Sequence, residues 1–206
     1  MRRSKGFTLI ELLAVIVILG VIMLIAIPSV TGYITSSRKN SFASTGANII
    51  DAVRKYAITA NGLPNYTGDK VVYRVVDENG KIAVKLDSGG TKSAFGAAWI
   101  AGYNYVVIEA TDNNNYNYYY AGYDASGNFI PLTPEDELKG GVVENVSELS
   151  DTETIDNRIK KLPTDDDDTT TWPMSGSTQV DFVDNYNIAI SGTADNVRLY
   201  RLYPNN

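Results

Sequence analysis

From Phe7 to Ile27 the chain reads FTLIELLAVIVILGVIMLIAI, and Glu11 is the only charged residue between Lys5 and Arg38. As a helix, this run is long enough to cross the roughly 30 Å hydrocarbon core of a bilayer. The chain is therefore expected to enter a membrane. Arg2, Arg3 and Lys5 precede the run, so the positive-inside rule holds the extreme N-terminus in the cytoplasm and sends everything after Val30 outward. A secretory signal peptide has a shorter apolar region, about 7 to 15 residues, closed by a small-residue A-x-A-like site. Ala26-Ile27-Pro28 matches that site poorly. A plain signal anchor accounts for the length, the basic flank and the orientation, but not for Glu11. A carboxylate at membrane depth costs about 2.5 to 3.5 kcal/mol or more on insertion scales, so it marks a function and needs a partner.

Composition narrows the function classes. With 206 residues the chain has room for one or two domains, and 44% apolar with 20% charged residues is the balance of a folded protein. It contains no Cys and no His. That removes disulfide scaffolds, thiol nucleophiles, Ser-His-Asp machinery and the commonest metal ligands. The formal net charge of −6 opposes broad nucleic-acid binding, which requires a positive field.

Gly6-Phe7-Thr8-Leu9-Ile10-Glu11-Leu12 behind a short basic leader resembles the processing and assembly signature of bacterial type IV pilins and the related pseudopilins. Gly20 and Pro28 fall where that family has a helix glycine and a proline. The resemblance covers about the first 30 residues. It implies cleavage between Gly6 and Phe7 by a membrane-embedded prepilin peptidase on the cytoplasmic face, then N-methylation of Phe7. Cleavage there keeps the apolar segment in the product. It also implies that Glu11 meets the new terminal amine of an adjacent subunit during filament growth. A buried ion pair is weak evidence of net stability, whereas one left unpaired costs roughly 3 to 5 kcal/mol, so the pair serves as a register device. Pro28 has no N–H for the Leu24 carbonyl and biases Ile27 away from helical angles. A kink or local melting is expected there, with Gly20 easing close helix contact. Proline as a simple marker of the end of the span is the plainer alternative.

From Ser29 to Asn61 the helical pattern continues, with Phe42, Ile49, Val53, Tyr56 and Ala60 on one stripe and Asn61-Gly62 before Pro64 as the stop. From Phe7 to Asn61 one interrupted helix would run roughly 80 Å. After Pro64 the period changes. Val71 to Asp77 and Lys81 to Leu86 around Glu78-Asn79-Gly80 predict one hairpin. Tyr105 to Ala110 and Tyr116 to Tyr123 around Asp112 to Asn115 predict another, with Asp124 to Asn128 as the outgoing turn. Further apolar pieces are Val142 to Val146, Val180 to Val183, Asn187 to Ile190 and Val197 to Tyr203, while Pro131 to Gly141 and Leu162 to Gly176 are loop-like.

Three features invite sharper readings. Seven of the 14 Tyr lie between Tyr103 and Tyr123. They fit an adhesive aromatic surface or, more plainly, strand residues with half of them in the sheet core. Asp165 to Asp168 offers oxygen ligands for calcium but lacks EF-hand spacing, so it reads as a solvated loop and no metal is assigned. Asn65-Tyr66-Thr67 and Asn145-Val146-Ser147 match a short glycosylation pattern, and no sugar is assigned.

The expected fold is α+β, a long N-terminal helix packed on a mainly antiparallel β-sheet head. The expected divisions are a leader over 1–6, the helix over 7–62 with its membrane or filament-core part at about 7–30, and the head over 63–206. The resemblance implies a structural filament subunit without catalysis or cofactor, similar to Gram-positive pilins in lacking Cys. Its implied partners are copies of itself, the prepilin peptidase and methyltransferase, an assembly ATPase, a platform protein and the cytoplasmic membrane before assembly. Losing the leader removes Arg2, Arg3 and Lys5, three positive charges, and takes the net charge from −6 to −9. DNA uptake by bulk attraction is not expected. A minor pilin, a pseudopilin of a secretion or competence filament, and a signal-anchored extracytoplasmic domain are the alternatives.

Overall fold

A computed structural model describes residues 6–59, 62–76, 80, 82, 86, 90–112, 115–162, 186–194 and 197–204. Met1 to Lys5, Ala60, Asn61, most of the first predicted hairpin turn and loop, the Asp165 to Asp168 run and Val180 to Val183 lie outside the described residues. The chain divides into two compact units, Met1–Ser37 and Arg38–Asn206. One helix, α1 (Leu9–Thr59), begins in the first and ends in the second.

In the second unit, seven strands form one antiparallel sheet. They are β1 (Lys70–Arg74), β2 (Tyr105–Asp112), β3 (Asn115–Tyr123), β4 (Asn128–Pro134), β5 (Glu144–Asn145), β6 (Tyr186–Ala194) and β7 (Val197–Pro204). Their order across the sheet is β5-β4-β3-β2-β1-β7-β6. A short helix, α2 (Ile155–Arg158), precedes β6, and single 3-10 turns occupy Glu135–Glu137, Gly140–Val142 and Val146–Glu148.

Both faces of the sheet are covered. On one face Val71, Tyr73, Val106, Ile108, Tyr120 and Ile130 meet Phe42, Ile49, Ile50 and Val53 of α1 in a single apolar cluster. On the other, Val72, Tyr105, Val107, Ala121 and Phe129 meet Ile159 and Leu162. Consecutive side chains of a strand point to opposite faces, so burial on both makes Val71 to Tyr73 of β1 and Tyr105 to Ile108 of β2 continuous apolar runs instead of alternating ones. Phe42, Ile49 and Val53 are buried as the stripe predicts, and Ala43, Gly46, Ile50 and Ala57 widen it. Gly46 is required by space: a Cβ there would stand 2.6 Å from Cδ1 of Tyr120.

The second predicted hairpin is β2–β3, in the expected register region. The first is described only in part, since most of Lys81 to Leu86 lies outside the described residues. β1 pairs with β2 and β7, and Val76 meets Ile82 through one isolated bridge. Val71 to Tyr73 are buried on both faces at the sheet centre, between β2 and β7. Pro131, expected in a loop, lies inside β4. It is tolerated because β5 pairs only with Asn128 and Phe129, and the β3–β4 register shifts between Tyr120 and Gly122. Of the clustered tyrosines, Tyr103, Tyr105 and Tyr120 are buried and Tyr116, Tyr118, Tyr119 and Tyr123 are half-buried, as strand residues sharing two faces would be.

Candidate functional site

Thr8 and Glu11 build the start of α1. The Thr8 carbonyl accepts the amide of Leu12 at 3.2 Å, which makes Thr8 the N-cap and Glu11 the third helical residue. Glu11 Oε2 accepts the Thr8 amide at 2.8 Å and the Thr8 hydroxyl at 2.8 Å, while the Glu11 amide donates to Thr8 Oγ1 at 3.4 Å. This reciprocal arrangement is a capping box, in which a short hydroxyl side chain and an acid three residues later satisfy amides that have no partner inside the helix. It fixes the carboxylate at the positive end of the helix macrodipole. Glu11 Oε1 takes no hydrogen bond among the described residues, so one carboxylate oxygen is left for a further donor.

Gly6 is exposed and Phe7 is 88% exposed, immediately ahead of the cap. No bond joins Phe7 to Glu11 among the described residues. Every described residue from Gly6 to Arg38 is exposed, including Leu12, Ile16, Leu24 and Ile27. Such a continuous apolar surface requires lipid or other apolar helices around it. The helix is long and apolar enough to cross a membrane.

Gly20 lies in this segment with open space where a Cβ would project, so its absence of side chain serves no contact within the chain. α1 passes through Pro28 without interruption. The Thr31 hydroxyl donates to the carbonyls of Ile27 at 3.1 Å and Pro28 at 3.0 Å, bonding the turn that follows the proline. The Leu24 carbonyl still has no amide from position 28, because proline carries none.

The arrangement thus places one negative group at the start of an exposed apolar segment that carries no other charge before Arg38, behind a Gly6-Phe7 bond that is open to solvent. It offers a charge-pairing site and a packing surface. Among the described residues no group of three or more His, Cys, Asp or Glu is arranged to hold a metal ion. Thr8 is the residue that the functional reading of the sequence overlooks, although the T-x-x-E spacing of Thr8 and Glu11 is itself a helix-start signature.

Residues 1–27 match the prokaryotic N-terminal methylation motif. The chain is also 37% identical over 62 residues to the type IV narrow pilus major component PilA5 of Thermus thermophilus. That match takes in 30% of this chain and 53% of the relative, so the chain spans about half the length of the curated protein it matches. No solved structure matches the chain.

Proposed function

We propose, from a chain whose amino-terminal segment is that of a type IV pilin, that the protein is a structural subunit of a pilus. In this reading a prepilin peptidase cleaves between Gly6 and Phe7, Phe7 is N-methylated, and α1 holds the subunit in the cytoplasmic membrane with its head outside. An assembly ATPase and a platform protein then move the subunit into an extracellular helical filament used for adhesion or motility. The family is a structural one, and nothing in the role asks for catalysis.

The observation that carries the reading is the single carboxylate of Glu11 at the start of α1, whose apolar residues as far as Arg38 are all exposed. Transfer of such a helix from lipid to a helix bundle is nearly neutral hydrophobically, so packing and charge pairing must decide the register. Oε2 stays in the cap with Thr8 while Oε1 receives the methylated amine of Phe7 from a neighbouring subunit. Gly20 gives neighbouring helices close approach, and the missing amide at Pro28 lets the turn from Leu24 to Pro28 open during packing. Mass spectrometry of the mature N-terminus tests the processing: methylated Phe7 is expected, and retained Met1 would leave a simple anchor. Cryo-electron microscopy of sheared surface fibres tests the polymer. A shaft built from this chain is the expected result, and trace incorporation would instead mark a minor pilin or pseudopilin.

A further inference from the structure

β3 is paired with β2 from Asn115 to Ala121, but β4 joins it only from Tyr119, opposite Pro134, to Tyr123, opposite Phe129. Tyr116 to Tyr118 therefore has no strand on its second side among the described residues. The chain leaves β4 at Pro134 and turns through Glu135–Glu137, and between residues 116–119 and 134–137 lies a cleft of about 600 Å³. One wall is aromatic, the other acidic.

The protein already seats one cation against these walls. The Arg54 guanidinium lies 4.3 Å from the centre of the Tyr118 ring and bonds Glu135 Oε2 at 2.5 Å. That uses the charge of Glu135. Asp136 and Glu137 are exposed and form no hydrogen bond or ion pair among the described residues, and the Tyr116 hydroxyl is likewise unbonded. A ring face beside a carboxylate attracts guanidinium and ammonium groups by cation–π contact and charge-assisted hydrogen bonds together. An unpaired stretch of strand also accepts an extended peptide by adding a strand to the sheet edge.

We infer that this cleft binds an extended basic segment of another protein, with an arginine or lysine side chain held between Tyr116 and the carboxylates of Asp136 and Glu137. The formal charge of −6 sets copies of this chain against one another, so the cation is assigned to a foreign partner. The assignment rests on the cleft and holds whether or not the chain polymerises.

The test uses the full chain in dodecyl maltoside micelles and the peptide acetyl-Gly-Arg-Gly-Arg-Gly-amide carrying a neutral dye, with citrulline replacing both arginines as the uncharged control. Fluorescence anisotropy should show saturable binding of the arginine peptide. Citrulline, Tyr116→Leu, or the pair Asp136→Asn with Glu137→Gln should each weaken it about tenfold or more. Removing two exposed acids elsewhere, Glu148→Gln with Asp151→Asn, should leave it within twofold. No saturable binding, equal binding of the citrulline peptide, or an equal loss in the distant pair would overturn the assignment. Oligomerisation that disappears in the Asp136/Glu137 pair would transfer the site to copies of the chain and overturn the foreign partner.

Discussion

Glu11 Oε2 takes both the amide and the hydroxyl of Thr8 at 2.8 Å, leaving its second oxygen unbonded among the described residues. Two demands on the acid are thereby separated. Glu11→Leu should still insert in the membrane, since it deletes the one charge in the span, yet it should lose most filament formation. Fractionation followed by electron microscopy of the cell surface reads both, and normal piliation would remove the pairing role. Thr8→Ala should weaken only the helix start, by about 1 kcal/mol. Faster hydrogen exchange at the amides of residues 9–12 with filaments retained would separate capping from assembly.

The missing Cβ of Gly46 sets how closely α1 approaches the sheet at Tyr120. Gly46→Val should therefore lower stability by about 1 to 3 kcal/mol through overpacking. Thermal unfolding of the single variant, of Tyr120→Leu and of the double variant should give less than additive losses, because the smaller residue vacates the space the valine needs.

Asp124 is fully buried and serves as an acceptor for Ser93 Oγ at 2.6 Å, the Ser126 amide at 2.9 Å and the Asn128 amide at 3.0 Å. It closes the turn into β4. Asp124→Ala leaves several buried donors unsatisfied and should reduce stability by about 3 kcal/mol. Denaturant unfolding checks this, and a loss below about 1 kcal/mol would mean that the turn is held by its glycine and strand pairing alone.

Burial pushes the hydroxyls of Tyr105 and Tyr120 well above the ordinary tyrosine range. Tyr119 is pushed up to about 12, first by burial and then by its hydrogen bond to Glu109. The unfolded chain releases these protons near pH 10, so above that pH the folded state holds more of them than the unfolded one. The tyrosine contribution is complete below about pH 10 and is lost as pH rises toward 12 and beyond. Stability should fall across that window, with ionisation absorbance near 295 nm rising in a late step that coincides with unfolding. Tyr119→Phe should make the fall shallower between pH 10 and 12.

How far the sequence reveals this protein depends on which forces act locally. The helix was legible because its apolar run, its stripe through Phe42, Ile49 and Val53, and its glycine–proline stop are local signals. The β2–β3 hairpin was legible for the same reason. The placement of β1 was not, because Val71 to Arg74 carries no mark of which distant strands will flank it, whereas the Asn79-Gly80 turn signal is matched by the antiparallel bridge between Val76 and Ile82. Pro131 misled because its tolerance depends on how short β5 is, a property of another segment. At the site, Glu11 stood out by its isolation in an apolar run. Its bond to Thr8 was also written in the T-x-x-E spacing. The cleft beside Tyr116 depends on where β4 stops pairing, which no local pattern encodes.

β1 sits between β2 and β7, so the middle of the sheet is completed by the far end of the chain. On the proposed route, in which the head crosses the membrane after its helix, β7 must emerge before Val71 to Arg74 loses its open flank. Long-range pairing of this kind forms late. In the export that the proposed function implies, each newly arriving head would pass through an interval in which one flank of its central strand is open to the equally unfinished head beside it, and crowding at the export site would work directly against correct maturation.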